Sequence, residues 1–271
     1  MKHYIITRFN LKKKDWVSDK NNNEILSEDW LSDRFRLFFN YCLPSVKNQK
    51  NQNFKWLVYF DEDTPLKYRN IIKSIEEEYA NFSPRFIAGA EIFDDSIVND
   101  VLDDYNQHDV TTPYILTTRI DNDDALHFDF TETIQSLAEN KNNLIIDLRA
   151  GVEAIVRGKY IETRKKISNY NPFISVIFNS KSYISIFSKN HVEWINFGET
   201  KVSNDIRWMQ IMHARNKHNK INWHNRLISK IDLQDFGISR NLNTLPFLYI
   251  IMINFSISVF EEITGRKPKI K

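Results

Sequence analysis

A single cysteine, Cys42, is the only thiol in the 271 residues, which excludes an internal disulfide framework and a Cys-rich zinc site. It lies in the apolar run RLFFNYCLPSV and reads as a small core residue rather than a nucleophile. Six glycines and seven prolines leave no material for long flexible linkers or low-complexity repeats. Residues 8–24 contain no glycine, so the Gly-rich phosphate loop that a nucleotidyltransferase, the rival enzyme class, would normally carry after its first strand is absent. The N-terminal MKHYIITRFN has too short an apolar stretch for a signal peptide and no small-residue cleavage site, so the protein is expected in the cytoplasm.

What is present is ordinary in bulk and uneven in distribution. Hydrophobic residues make up 42% and charged residues 27%, as in a soluble globular protein, while 13% aromatics supply both core and sugar-stacking material. The net charge of +2 conceals 13 acids against 4 Lys or Arg over residues 61–110, and 14 Lys or Arg against 5 acids over residues 151–230. A basic second half suits a diphosphate, an anionic glycan, a membrane surface or a merely solvated face. No nucleic-acid-binding motif accompanies it, and no nucleic-acid partner is expected.

Periodicity gives an alternating first half. HYIITRFN (3–10) reads as a buried strand, and a charged, Asn-rich loop follows. A helix begins at Ser27, with Trp30, Leu31, Phe35, Phe38, Phe39 and Cys42 on its apolar positions, and stops or restarts at Pro44. FKWLVYFDEDT (54–64) is a second strand and PLKYRNIIKSIEEEYA a helix. RFIAGAEIF (85–93) is a third strand, followed by a helix capped by Asp94 or Asp95. Tyr114–Thr118 is the fourth strand. Strand–helix alternation implies parallel pairing through right-handed crossovers and a three-layer α/β sheet.

The second half is less regular. Residues 143–156 and 174–179 read as strands, the first bent at Gly151, and residues 181–196 as strand then helix. Residues 202–218 carry Ile206, Met209, Ile211 and Met212 at near-helical spacing, with Asn204 as cap. Leu245–Phe260 is apolar apart from Asn254, Ser256 and Ser258, and a basic tail from Arg266 to Lys271 follows. It is short for a membrane span, which takes roughly 20 apolar residues, and three uses remain: packing on the domain, lying on an anionic bilayer, or spanning it.

The chemistry concentrates where the fourth strand ends, in TTRIDNDDAL. Asp121, Asp123 and Asp124 are hard oxygen donors that suit Mg²⁺ or Mn²⁺ with a phosphorylated ligand. The competing use is an acidic cap for the helix from Asp129, favoured by the helix dipole. A calcium loop counted from Asp121 is excluded, because Leu126 occupies the position where the turn needs glycine.

These residues resemble a known family. ITRFN, CLPSVKNQ, FKWLVYFDEDTP, TTRIDNDDAL and RWMQIMHARN, spanning residues 3–225, are similar to the bacterial family named putative rhamnosyltransferases, with GT-A-fold glycosyltransferases of the cellulose- and chitin-synthase type as wider kin. The resemblance implies a GT-A-like, Rossmann-like, mostly parallel sheet flanked by helices. It implies a transferase domain over 1–225, with a nucleotide-sugar half (1–130) and an acceptor half (131–225), and a helical extension over 226–271. It implies a hexosyl transfer with inversion, from a dTDP- or UDP-linked sugar to a glycan or lipid-linked acceptor in surface-polysaccharide synthesis. By position, Thr7 and Arg8 would approach the base and ribose, and Asp61 the base. Asp121 would lie by the ribose, with Asp124 and Arg119 around the sugar and phosphates. Asp123 would bind Mn²⁺ or Mg²⁺, and His213 is the distal ligand candidate ahead of His218 and His191, a structural histidine being the alternative. Asp205, then Glu199, are nearest to the expected general base, although Asn204 stands where a Glu-Asp pair would have its first acid. A nucleotide-sugar-binding scaffold without catalysis is the alternative function.

Overall fold

The structure, a computed structural model, describes residues 1–13, 27–107, 112–213, 222, 225–228, 231–239 and 242–265. His218 and Asn216 lie outside these. The first half alternates as its periodicity implies. Strands β1 (Lys2–Arg8), β2 (Lys55–Asp61), β3 (Phe82–Ile87) and β4 (Tyr114–Arg119) pair in parallel, in the order β3-β2-β1-β4. Helices α1 (Glu28–Leu37), α2 (Leu43–Lys47), α3 (Leu66–Glu78) and α4 (Phe93–Asn106) connect them. The chain does not stop at Pro44. A π-helical turn, Phe38–Cys42, joins α1 to α2, with the Leu43 N–H donating to the Phe38 carbonyl, so proline enters at the start of α2 where its missing N–H costs little.

Three local expectations shift. Strand β3 begins at Phe82 and ends before Gly89, whose φ of +81° turns the chain, so residues 88–92 are not strand. Helix α4 takes Ile92 as its N-cap, with Asp94 and Asp95 inside the first turn, where they complement the dipole without capping. Between β4 and helix α5 (Phe130–Leu137) lies a two-residue strand, β5 (Ala125–Leu126).

The second half departs further. The stretch 143–156 is two strands, β6 (Leu144–Leu148) and β7 (Ala150–Arg157), in different sheets. The break falls at Arg149, not Gly151. Gly151 instead lies under the Trp208 indole, where a Cβ would come within 2.1 Å of the ring. Strand β8 (Tyr160–Ile167), absent from the sequence reading, hairpins onto β7, and β9 (Ser175–Asn179) runs antiparallel between β4 and β6. Residues 180–196 hold only short 3₁₀ turns, not a strand and helix. The expected helix over 202–218 is not one as far as residue 213, and residues 214–218 lie outside the described residues: β10 (Thr200–Ser203) closes the edge of the first sheet, and β11 (Trp208–Met212) lies in the second. All five residues of β11 are buried, so its run of apolar side chains reflects two covered faces rather than a helical stripe.

Among the described residues the main sheet therefore reads β10-β6-β9-β4-β1-β2-β3, and a smaller sheet reads β12-β8-β7-β11-β5, with β12 (Asn243–Thr244). One apolar layer, containing Phe35, Phe38, Trp56 and Phe130, covers one face of the main sheet. Tyr4, Tyr59, Ile97 and Trp194 cover the other. The segment beyond residue 225 is woven into the small sheet: Leu227 bridges to Arg164, and Phe236 and Ile238 pack with Leu37, Tyr41, Val152 and Met209. The last helix, α6 (Phe247–Thr264), follows. The architecture is mixed α/β, a mostly parallel sheet flanked by helices with a C-terminal helix.

Candidate active site

The carboxyl end of β4 meets the small sheet in the crevice where open α/β sheets hold their ligands. Ile120 is buried and its N–H donates to Ile6 O at 3.1 Å, extending the sheet by one residue. Asn122 then donates through Nδ2 to Phe9 O at 2.7 Å, which fixes the acidic loop to the end of β1. With the loop anchored, the neighbouring acids point different ways.

Asp123 Oδ2 accepts from Arg34 Nη1 of α1 at 2.8 Å and lies 2.8 Å from His213 Nε2, just past β11. Burial by itself raises the Asp123 carboxyl, but the His213 hydrogen bond and the Arg34 charge outweigh it and hold the carboxyl below its ordinary value. Asp124 turns inward. Its Oδ1 accepts the Ile211 N–H at 2.9 Å and holds β11 to the loop. Burial first, then the charges of Asp123 and Asp121, push its carboxyl well above the usual range.

Arg119, the last residue of β4, lays its guanidinium over the Phe187 ring, with Cζ 4.4 Å from the centroid. Its Nε is buried and has no hydrogen-bond partner among the described residues. Burial lowers its affinity for the proton, the Asp121 charge raises it, and Arg8 lowers it again. His191, whose Nδ1 is hydrogen-bonded to the Tyr170 carbonyl, feels the charges of Arg119, Asp121 and Lys166. Arg119, Asp121 and His191 are close enough to feel one another's charge. Donors at that depth without a partner are costly unless a ligand supplies the acceptor.

The remaining expected residues fall elsewhere. Thr7 is fully buried and its Oγ1 accepts from Trp56 Nε1 at 2.9 Å, so its side chain belongs to the core because its place on β1 points into the helix layer. Arg8, one residue on, is exposed. Asp61 is 1% exposed and accepts the Lys12 N–H at 2.9 Å and the Asp63 N–H at 3.1 Å, joining the loops after β1 and β2. Asp205 lies in the exposed turn before β11, near Arg207, whereas His213 follows that strand. The five residues of β11 separate them by about 16 Å at strand rise. Residues 202–213 are strand–turn–strand rather than helix, which puts Asp205 before β11 and His213 after it. Glu199 pairs with Lys141 at the surface. Arg34, Phe187 and Lys166 were not singled out from the sequence. Arg34 did carry a signal: it sits four residues from both Trp30 and Phe38, a cation on the apolar stripe of α1, and its guanidinium lies 5.1 Å from the Trp30 ring centroid.

The donor chemistry fits a hard divalent ion. An Asp123 oxygen and a His213 nitrogen already converge, and Arg34 is the competing cation. No group of three or more His, Cys, Asp or Glu converges among the described residues, so any ion here would draw further ligands from substrate oxygens and water.

The sheet order and the acid-bearing edge of β4 define a mixed α/β protein with a mostly parallel sheet. Residues 4–225 match the family described as "Putative rhamnosyl transferase", and the chain belongs to that family. The family takes its name from a sugar transfer. Two solved structures are similar to it at low identity. S. aureus TarS 1–349 is 11% identical with a TM-score of 0.40, covering 78% of this chain and 60% of that one. S. aureus TarS 1–349 in complex with UDP is 10% identical with a TM-score of 0.41, covering 98% and 73%. No curated protein matches the chain.

Proposed function

We propose that the chain is a glycosyltransferase that takes a nucleoside-diphosphate sugar, dTDP- or UDP-linked, at the carboxyl edge of β4 and transfers its hexose to a glycan or lipid-linked acceptor. The observation that carries the reading is the Arg119 guanidinium, buried against Phe187 with its Nε lacking a partner, beside the Asp121–Asp123 loop. A diphosphate oxygen supplies the missing acceptor, and the Phe187 face fixes the plane in which the guanidinium donates. Asp121 would accept from a ribose or sugar hydroxyl. Residues 1–130 form the donor half and residues 131–225 the acceptor half.

Asp123 and His213 would hold Mn²⁺ or Mg²⁺. When bound, the ion supplies charge neutralisation for the leaving diphosphate. The protein's own share is to orient the donor, keep water from the sugar carbon and hold the Asp123 carboxylate ionised. Transfer is by inversion: an acceptor hydroxyl oxygen bonds to the anomeric carbon as the bond to the diphosphate breaks, and the hydroxyl proton passes to a base or to solvent water. The setting is cytoplasmic surface-polysaccharide synthesis, with rhamnose one candidate sugar.

A thermal-shift panel of nucleoside diphosphates with and without Mn²⁺, followed by sugar release from the donor that shifts, tests the reading. Stabilisation by UDP or dTDP that depends on Mn²⁺ and is lost in Asp123→Ala is the expected result. No shift with any nucleotide would sink it. A shift without sugar transfer or hydrolysis would instead support a binding scaffold.

A further inference from the structure

Helix α6 is the largest feature that the site does not use. Among the described residues it is the one helix long and apolar enough to cross a membrane by length and composition, yet only 11% of it is buried. Phe247, Leu248, Met252, Phe255 and Ile263 are between 62% and 79% exposed. Tyr249, Ile251, Val259 and Phe260 are exposed beside them.

One side of the helix is tied down. Arg226 donates to the Asn254 carbonyl, to Ser258 Oγ at 2.7 Å and to Glu261 Oε2 at 2.6 Å. Asn254 also exchanges two hydrogen bonds with the Leu227 backbone, at 2.9 and 3.0 Å. Ile250 and Ile257 are buried on the same side. These polar ties sit in the middle and last part of α6, and a spanning helix would have to carry them into hydrocarbon, where unpaired polar groups are expensive. Spanning is therefore disfavoured by the chain's own contacts.

The other side decides the occupant. At 100° per residue the nine exposed apolar side chains sweep about 220° of the helix, interrupted chiefly by Ser256, Ser258 and Glu262. A partner helix covers a narrow seam of two positions in seven, so a second copy of the chain would leave most of this surface wet. A bilayer interface covers all of it. The sequence that follows adds Arg266, Lys267, Lys269 and Lys271 without an acid, a charge complementary to anionic headgroups.

We propose that α6 is an in-plane membrane anchor, resting its Phe247–Ile263 face in the headgroup–acyl boundary of an anionic bilayer while Arg226 and Asn254 hold the domain to its other side. The proposal goes beyond the transferase reading and does not depend on it. It brings the enzyme to a surface where a lipid-linked acceptor is found.

Flotation of the full chain with phosphatidylcholine vesicles, alone or with added phosphatidylglycerol, tests it, with no sugar nucleotide present. The chain floats with anionic vesicles and more weakly with neutral ones, and salt reduces the anionic part. Met252→Glu with Phe255→Glu lowers vesicle binding at least about tenfold, since each removes a large apolar side chain from the interface. Ile263→Glu, near the helix end, does the same to a smaller degree and guards against misfolding of the double variant, with far-UV circular dichroism as the control for both. A chain that stays soluble with both vesicle types overturns the proposal. So does a stable dimer that these substitutions dissociate. Neither result touches the nucleotide-binding test above.

Discussion

One carboxylate oxygen, Asp123 Oδ2, takes Arg34 Nη1 and His213 Nε2, both at 2.8 Å. The contact with Arg34 joins α1 to the acidic loop across 89 residues. It places a fixed cation where the proposed divalent ion would bind, and the two positive charges compete for one anion. Arg34→Gln keeps a hydrogen-bond donor and removes the charge. The Mn²⁺ concentration for half-maximal nucleotide binding should fall roughly tenfold, read by calorimetric titration. An unchanged Mn²⁺ dependence would place the ion away from Asp123.

Arg119 separates binding from stability. In Arg119→Gln the charged donor facing the crevice is lost, and affinity for UDP or dTDP should drop by about 1.5–3 kcal/mol. The melting temperature should hold or rise, because a buried guanidinium whose Nε has no partner is itself a cost to the fold. Calorimetry and a thermal melt on the same sample check both. A large fall in melting temperature with unchanged affinity would make Arg119 structural.

Neighbouring acids should part company on substitution. Asp124→Asn keeps the acceptor for the Ile211 N–H and replaces a carboxyl already pushed towards neutrality, so stability changes by less than about 1 kcal/mol. Asp124→Ala leaves that buried N–H unsatisfied and costs about 1–3 kcal/mol in urea unfolding. Asp123→Asn should leave the fold in place and lose Mn²⁺-dependent transfer.

His3 predicts an acid limit. Burial lowers its pKa from 6.5 to about 3, and its neutral ring bridges Thr118 Oγ1 at 2.8 Å and Gln135 Nε2 at 3.2 Å. The folded value is depressed, so the unfolded chain binds the extra proton, and stability falls as pH drops below 6.5 until it levels near 3. Between pH 7 and 5 this group contributes a loss of about 2 kcal/mol. Urea unfolding of His3→Gln should lack that part of the pH dependence, and identical slopes for variant and parent would show that His3 is not the group.

Gly151→Ala tests the small sheet. The added methyl would meet the Trp208 ring at 2.1 Å, and Trp208 is held in place by its Nε1 donating to Leu148 O at 2.6 Å and by stacking on Phe173 at 4.9 Å. Overpacking of that kind costs about 1–3 kcal/mol, read as a lower denaturation midpoint.

The sequence was most legible where structure is local. The βα repeats through Leu137 follow from apolar spacing, the Ser27 cap, whose Oγ accepts the Trp30 N–H, and acids placed where strands end. That order also brought Asp121, Asp123 and Asp124 to the carboxyl edge of β4 without any tertiary information. Residues 202–213 were misread as helix because Ile206, Met209, Ile211 and Met212 fit a helical stripe as well as a doubly covered strand. Thr7 and Asp61 were placed correctly on their strands, but which of their atoms meet solvent depends on Trp56, Lys12 and Asp63, which no spacing reveals.

By itself, then, the sequence determined that parallel strands deliver three acids and Arg119 to one edge, because each step links neighbours in the chain. Only the tertiary structure decided which acid is which. Arg34 and His213 come from far along the chain to hold Asp123 ionised, while the Ile211 N–H draws Asp124 into the core. The physical reason is that a carboxylate's role is set by the donors and the burial around it, and those are long-range contacts that local periodicity does not encode.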